Sequence, residues 1–239
     1  MTSLGNSESP HGPRLLPKRL ATGYEAFLGG RFAREQDRFR HLASAGQTPD
    51  IMLIGCCDSR VSPEVIFDAE PGELFVVRNI ANLVPPYGPN DDLHGTSAAL
   101  EFAVLGLGVE HIVVMGHAGC GGVRAFACGE TAGYHPPLSQ GDFIGKWISL
   151  IGPAAARIAP CASPEDFIER LTLASIIQGL ANLRSFPWIV AREKLGRLSL
   201  HGAYFGIASG ALLALDEGSG RFEPVSEQAY REPAAPPGS

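Results

Sequence analysis

Short apolar runs alternate with helical stretches through the middle of the chain: IMLIGC at 51–56, ELFVVRN at 73–79 and HIVVMGH at 111–117. Such runs, bounded by turn residues, predict strands covered on both faces, and the helical segment SAALEFAVLGL at 97–107 predicts parallel crossovers between them. The alternation over 197–215, with Gly at its turns, predicts one more strand and then an antiparallel hairpin extension. Helices are predicted over about 163–182, opened by Ser163-Pro164-Glu165, and over 187–195. Upstream, Tyr24, Phe27, Leu28, Phe32, Phe39 and Leu42 recur at helical spacing between 21 and 45, with Gly29-Gly30 expected to interrupt the helix. The expected fold class is α/β: a mostly parallel central sheet flanked by helices, with an N-terminal helical arm and a C-terminal antiparallel extension. Residues 1–20 read as a flexible arm, 21–225 as a single domain and the Pro-rich 226–239 as a disordered tail.

Composition narrows the classes. The 239 residues are 45% hydrophobic and 18% charged, with a net charge of −6, which suits a globular chain able to bury its own core. A mildly acidic chain without a Lys/Arg-dense stretch offers no footprint for nucleic acid or anionic lipid. No apolar run approaches the roughly 18 residues of a membrane span, and no apolar segment follows the basic residues near the N-terminus, so a cytoplasmic protein is expected. Five scattered cysteines, an odd number, argue against a disulfide framework and turn attention to metal or thiol chemistry.

Two predicted strands end in metal-ligand residue types. Cys56 closes the first run, and His117 closes the third with Cys120 three residues later in the Gly-rich turn HAGCGG. Ligands collect at the carboxyl ends of strands in open α/β sheets, so the three can meet at one edge. Two thiolates and one imidazole leave zinc a fourth position, and soft sulfur disfavours magnesium or calcium. Beside Cys56, Asp58 and Arg60 stand two apart, where a guanidinium can hold a carboxylate ionised as an acceptor.

C-x-D-S-R at 56–60 and H-x-x-C at 117–120 resemble the motifs of the β-class carbonic anhydrases, which lie about sixty residues apart, as these do. EPGELFVVRNIANLVPPYG at 70–88, GTSAALEFAVLGLGVEHIVVMGH at 95–117 and GRLSLHGAYFGI near the C-terminus extend the resemblance to about 20–225. It implies one zinc ion per subunit on Cys56, His117 and Cys120, with Asp58 and Arg60 as a catalytic dyad. It further implies bicarbonate binding by Gln47, a CO2 pocket lined by Phe75 and Ile80 across a dimer interface, and a backbone N–H from Gly121. Phe102 stands where plant-type members carry Tyr. Leu53 stands where the bicarbonate-regulated branch carries Trp, although Val61 and Arg78 remain, so the plant-like open-site branch of bacterial type is implied.

The implied activity is reversible hydration of CO2 to bicarbonate and a proton by attack of a zinc-bound hydroxide, rising with pH, in a homodimer or homotetramer. Hydrolysis of CS2 or carbonyl sulfide on the same scaffold is the enzymatic alternative, and a non-catalytic zinc or redox module the other. His94, His111 and His135 are candidate proton shuttles because imidazole titrates in the right range. Cys57 is expected in the core, and Cys128 and Cys161 as small buried hydrophobes or thiols without a role.

Overall fold

The structure, a computed structural model, describes residues 16–89, 94–132 and 137–226, so most of the expected flexible arm, the tail beyond 226 and His135 lie outside the described residues. The chain divides after Gln47 into two compact units. The first holds α1 (Lys18–Phe27) and α2 (Ala33–Ala45), joined by a π-helical turn over Leu28–Phe32. Gly29-Gly30 therefore does not interrupt the helix. Each Gly costs roughly 1 kcal/mol relative to Ala but remains free to adopt helical dihedrals. The wider π turn also brings Phe27 and Phe32, five residues apart, onto one face, with ring centroids 5.7 Å apart and Phe39 5.2 Å from Phe32.

The second unit runs β1 (Ile51–Cys56), α3 (Pro63–Ile66), β2 (Leu74–Asn79), α4 (Gly95–Glu101), β3 (His111–His117), α5 (Gly121–Ala132), α6 (Phe143–Ile148), α7 (Gly152–Ala155), α8 (Pro164–Leu183), α9 (Pro187–Lys194), β4 (Ser199–Phe205), β5 (Leu212–Asp216) and β6 (Arg221–Pro224). The sheet order is β2-β1-β3-β4-β5-β6. The first four strands pair in parallel, and β5 and β6 add on antiparallel as the C-terminal extension. Ser163 caps α8 as its spacing foretold, its hydroxyl accepting from the Asp166 N–H at 3.1 Å. The helix predicted at 97–107 begins at Gly95, widens into a π turn over Phe102–Leu107 and stops at Gly108 in the left-handed region.

Inward-facing Met52, Ile54, Ile112 and Val114 meet Ile176 and Leu180 of α8 in the main core. β1 and β3 are covered on both faces, as expected of continuous apolar runs. β2 is not: all six of its residues are only half-buried, because it is the edge strand and one flank has no neighbour. Among the described residues, no helix is long and apolar enough to cross a membrane.

Candidate metal centre

Parallel pairing sets Cys56 opposite Asn79 and His117 opposite Phe205, which brings the carboxyl ends of β1 to β4 to one rim. Cys56, the last residue of β1, and His117, the last of β3, both reach this rim. The chain then turns through Gly119, whose φ of 63° lies in the left-handed region that Gly adopts without a Cβ clash, and delivers Cys120 just ahead of α5. All three side chains are buried, and their donor atoms lie within 4.8 Å of one another.

The donor set fits a metal. Cys56 Sγ and Cys120 Sγ are 3.8 Å apart, far beyond a disulfide. Two sulfurs bound tetrahedrally at about 2.3 Å would be separated by about 3.8 Å. His117 Nδ1 lies 3.0 Å from the Ala118 carbonyl, which assigns its proton to Nδ1 and leaves Nε2 with a lone pair. Nε2 is buried and has no hydrogen-bond partner, the condition of a ligand atom awaiting its ion. Two sulfurs and an imidazole select zinc over hard cations.

The Asp58 N–H donates to Cys56 Sγ at 3.4 Å. Gly121, expected to offer an N–H near the site, opens α5 directly after Cys120. The Cys56 thiol is driven well below its ordinary range by hydrogen bonding with Cys120, against burial and with help from His117 and the Asp58 N–H. Cys120 is driven up by hydrogen bonding with Cys56 and by burial.

Asp58 and Arg60 do converge. Arg60 Nε lies 2.9 Å from Asp58 Oδ1 and Nη2 lies 2.6 Å from Oδ2, a bidentate pair, and the Arg60 N–H adds a third bond to Oδ1 at 3.0 Å. These bonds hold the Asp58 carboxyl well below the usual carboxylate range. Oδ2 stands 3.9 Å from His117 Nε2, facing the ligand cluster without joining it. Arg78 fastens the loop from behind, donating to the Cys56 carbonyl at 2.8 Å and the Asp58 carbonyl at 2.6 Å. In the sequence Arg78 stood out only as a remnant of the regulated branch. No local signal tells that its side chain reaches back across 22 residues.

The other expected residues are dispersed. Ile80 directly follows β2, is 40% exposed and packs its Cγ2 toward Gly122. Phe75 pairs with Met52, four residues before the rim and so about 13 Å along the strand, where its ring lies 6.0 Å from that of Phe102. Gln47 ends the first unit and is exposed. His111 begins β3, roughly 20 Å along the strand from His117, and its Nδ1 lies 3.1 Å from His201 Nε2. His94 directly precedes α4 and is not one of the three clustered ligand residues. Cys57, expected in the core, is exposed because it takes the outward position after Cys56; Cys128 is also exposed and Cys161 half-buried.

Sequence reasoning missed the turn after β2. Ala81 (φ 62°) and Asn82 (φ 49°) are both left-handed, at a cost of about 1–3 kcal/mol each for residues with a Cβ, and both are buried. Asn79 spans the turn, its Nδ2 donating to the Leu83 carbonyl and its Oδ1 accepting from the Leu83 N–H, both at 2.8 Å. Gly122 lets α5 approach, since a Cβ there would sit 2.8 Å from Ile80 Cγ2 and 3.0 Å from Ala81 Cβ. Gly122→Ala is therefore expected to destabilise the fold by about 1–3 kcal/mol, read as a lower urea midpoint at unchanged m-value. An unaltered midpoint would show that the turn yields freely.

The four parallel strands of the sheet carry two cysteines and a histidine at their carboxyl rim, beside an Arg-held carboxylate, which defines a site able to hold one metal ion on three side chains. The carbonic anhydrase family profile matches residues 51–212, and this chain belongs to that family. It is 38% identical over 210 residues to a carbonic anhydrase of Pseudomonas aeruginosa, covering 87% of this chain and 91% of that one. A carbonic anhydrase of Synechocystis is 36% identical over 202 residues, covering 83% and 71%. Among solved structures, the β-carbonic anhydrase CcaA superposes with a TM-score of 0.74 at 33% identity, covering 88% of this chain and 92% of that one. One of two tetrameric β-carbonic anhydrases from Sordaria macrospora superposes with a TM-score of 0.68 at 28% identity, covering 83% and 95%.

Proposed function

We propose that this chain is a zinc-dependent carbonic anhydrase that hydrates CO2 reversibly to bicarbonate and a proton, with an open coordination position at rest. The observation that carries this reading is the orphaned, buried His117 Nε2 set between two sulfurs and 3.9 Å from an Arg-held carboxylate oxygen. Cys56, His117 and Cys120 hold the ion. A zinc ion held there would supply an acidified water for the reaction, less strongly than in an all-imidazole site because two thiolates offset its charge.

Asp58 Oδ2 accepts the hydrogen bond of the attacking water and so turns its lone pair toward the CO2 carbon. Arg60 occupies both carboxylate oxygens, which keeps Asp58 ionised and draws it away from becoming a fourth ligand itself. Ile80 supplies an apolar wall for CO2. Gln47 and Phe75 act in the same pocket from a second subunit, with Gln47 steadying bicarbonate. The arm over 18–45, which has no buried residue in either helix, packs on that subunit, and the assembly is a homo-oligomer. The neighbours from Sordaria are tetrameric by description, which supports an oligomer here. No feature of the site favours the CS2/carbonyl sulfide or non-catalytic alternatives.

Stopped-flow CO2 hydration on zinc-loaded protein tests the reading. The rate is expected to rise between pH about 6.5 and 9 as the water loses its proton. Asp58 does not produce that rise, because its folded pKa is depressed and it stays ionised throughout that window. Zinc-loaded protein without activity at any pH would sink the proposal.

A further inference from the structure

A second pair of metal-ligand side chains meets at the opposite rim of the sheet. His111 opens β3, and His201 lies on β4, the strand hydrogen-bonded beside it. Register pairs His201 with Val113, two residues after His111, and alternation along a strand then puts both imidazoles on one face. The sheet thereby holds His111 Nδ1 3.1 Å from His201 Nε2, with ring planes inclined at 49°. His201 is exposed and His111 half-buried, so an ion can reach them from solvent. At that separation a metal about 2.0–2.1 Å from both nitrogens subtends an angle of about 98°, between the right angle of square or octahedral coordination and the tetrahedral value. Without an ion, one of the two nitrogens must carry a proton for the rings to hydrogen-bond, and such a bond contributes only about 0.5–1.5 kcal/mol net.

We propose that His111 and His201 form a second metal site, a two-imidazole chelate for a borderline divalent transition ion. Imidazole suits zinc, copper and nickel, while a pair without a carboxylate disfavours magnesium and calcium. Among the described residues, Cys56, His117 and Cys120 are the one cluster of three or more potential ligands, so the histidine pair supplies two ligands and water completes the shell. Binding uses the lone pairs of both facing nitrogens. The proton between them moves, through solvent, to the far nitrogen of its own ring, and both rings stay neutral. The ion then staples β3 to β4 about 20 Å along the strand from His117, which makes this site independent of the zinc reading above.

Nickel(II), added to zinc-loaded protein and followed by calorimetry, is the probe. One further equivalent is expected to bind. His201→Gln keeps a hydrogen-bonding partner for His111 but leaves a single imidazole, and its nickel affinity is expected to fall about 10²–10⁴-fold, the gain that two joined arms have over one. His111→Gln is expected to lose affinity to the same extent. Since nickel binds the folded chain, it is also expected to raise the melting temperature of the wild type and not that of His201→Gln. A glutamine variant that binds nickel as the wild type does overturns the proposal, leaves the pair a hydrogen bond and puts the ion elsewhere. Wild type that takes up no nickel beyond its zinc overturns it too. If neither variant folds, the wild type decides: substoichiometric nickel, being paramagnetic, is expected to broaden the imidazole resonances of His111 and His201, and broadening confined to other histidines overturns the proposal.

Discussion

Asp58→Asn is expected to lower CO2 hydration by about 10²–10³-fold while leaving one zinc per chain in place, measured by stopped flow alongside metal analysis. Asp58 is not one of the three ligands, so its loss need not release the metal. Its charge is what the site uses. Arg60 donates to both carboxylate oxygens, and Oδ2 keeps a further lone pair facing the cluster from 3.9 Å. An amide has one acceptor oxygen, so the Asn side chain must turn its NH2 either to the guanidinium, where donors repel, or to the substrate water, where it donates instead of accepting. Both orientations misdirect the nucleophile. Full activity in a zinc-replete Asp58→Asn protein would show that the pair is structural only. Arg60→Gln separates the two roles: zinc is expected to stay, and activity to fall because the released carboxylate competes for the fourth position.

Cys120→Ser is expected to abolish stoichiometric zinc binding and to reduce hydration to the uncatalysed rate. A hydroxyl has nearly the shape of a thiol but stays protonated at neutral pH and is a poor ligand for zinc. The loss in affinity should exceed the roughly 10–100-fold typical of an outer partner, because a direct bond is removed. Since the metal binds only the folded chain, the variant should also lose the rise in melting temperature that zinc gives the wild type. Zinc retained at one equivalent after this substitution would mean that the ion sits elsewhere.

Much of this architecture is written locally. Period and run length mark β1 and β3, whose neighbours cover both faces, and Ser163-Pro164-Glu165 marks the start of α8 because capping depends on adjacent residues alone. Gly29-Gly30 misleads for the same reason: a permissive residue lowers helix propensity, while the clustered rings of Phe27, Phe32 and Phe39 decide the outcome. β2 looks like β1 in sequence, and only the strand order makes it an edge.

The site divides along the same line. Cys56, Asp58, Arg60, His117 and Cys120 are legible because the chemistry of metal binding restricts residue types and the strand ends restrict their spacing. The sequence by itself determined which atoms could hold zinc and which pair could form the dyad. Only the tertiary structure decided how the ligand loops are held: Arg78 reaching back to two carbonyls, two buried left-handed residues after β2, Gly122 admitting α5, and the Trp147 indole donating to a carbonyl 67 residues away. The physical reason is range. Backbone propensity, capping and ligand chemistry act within a few residues, whereas these supports are contacts between distant segments that exist only once the sheet and its helices have packed.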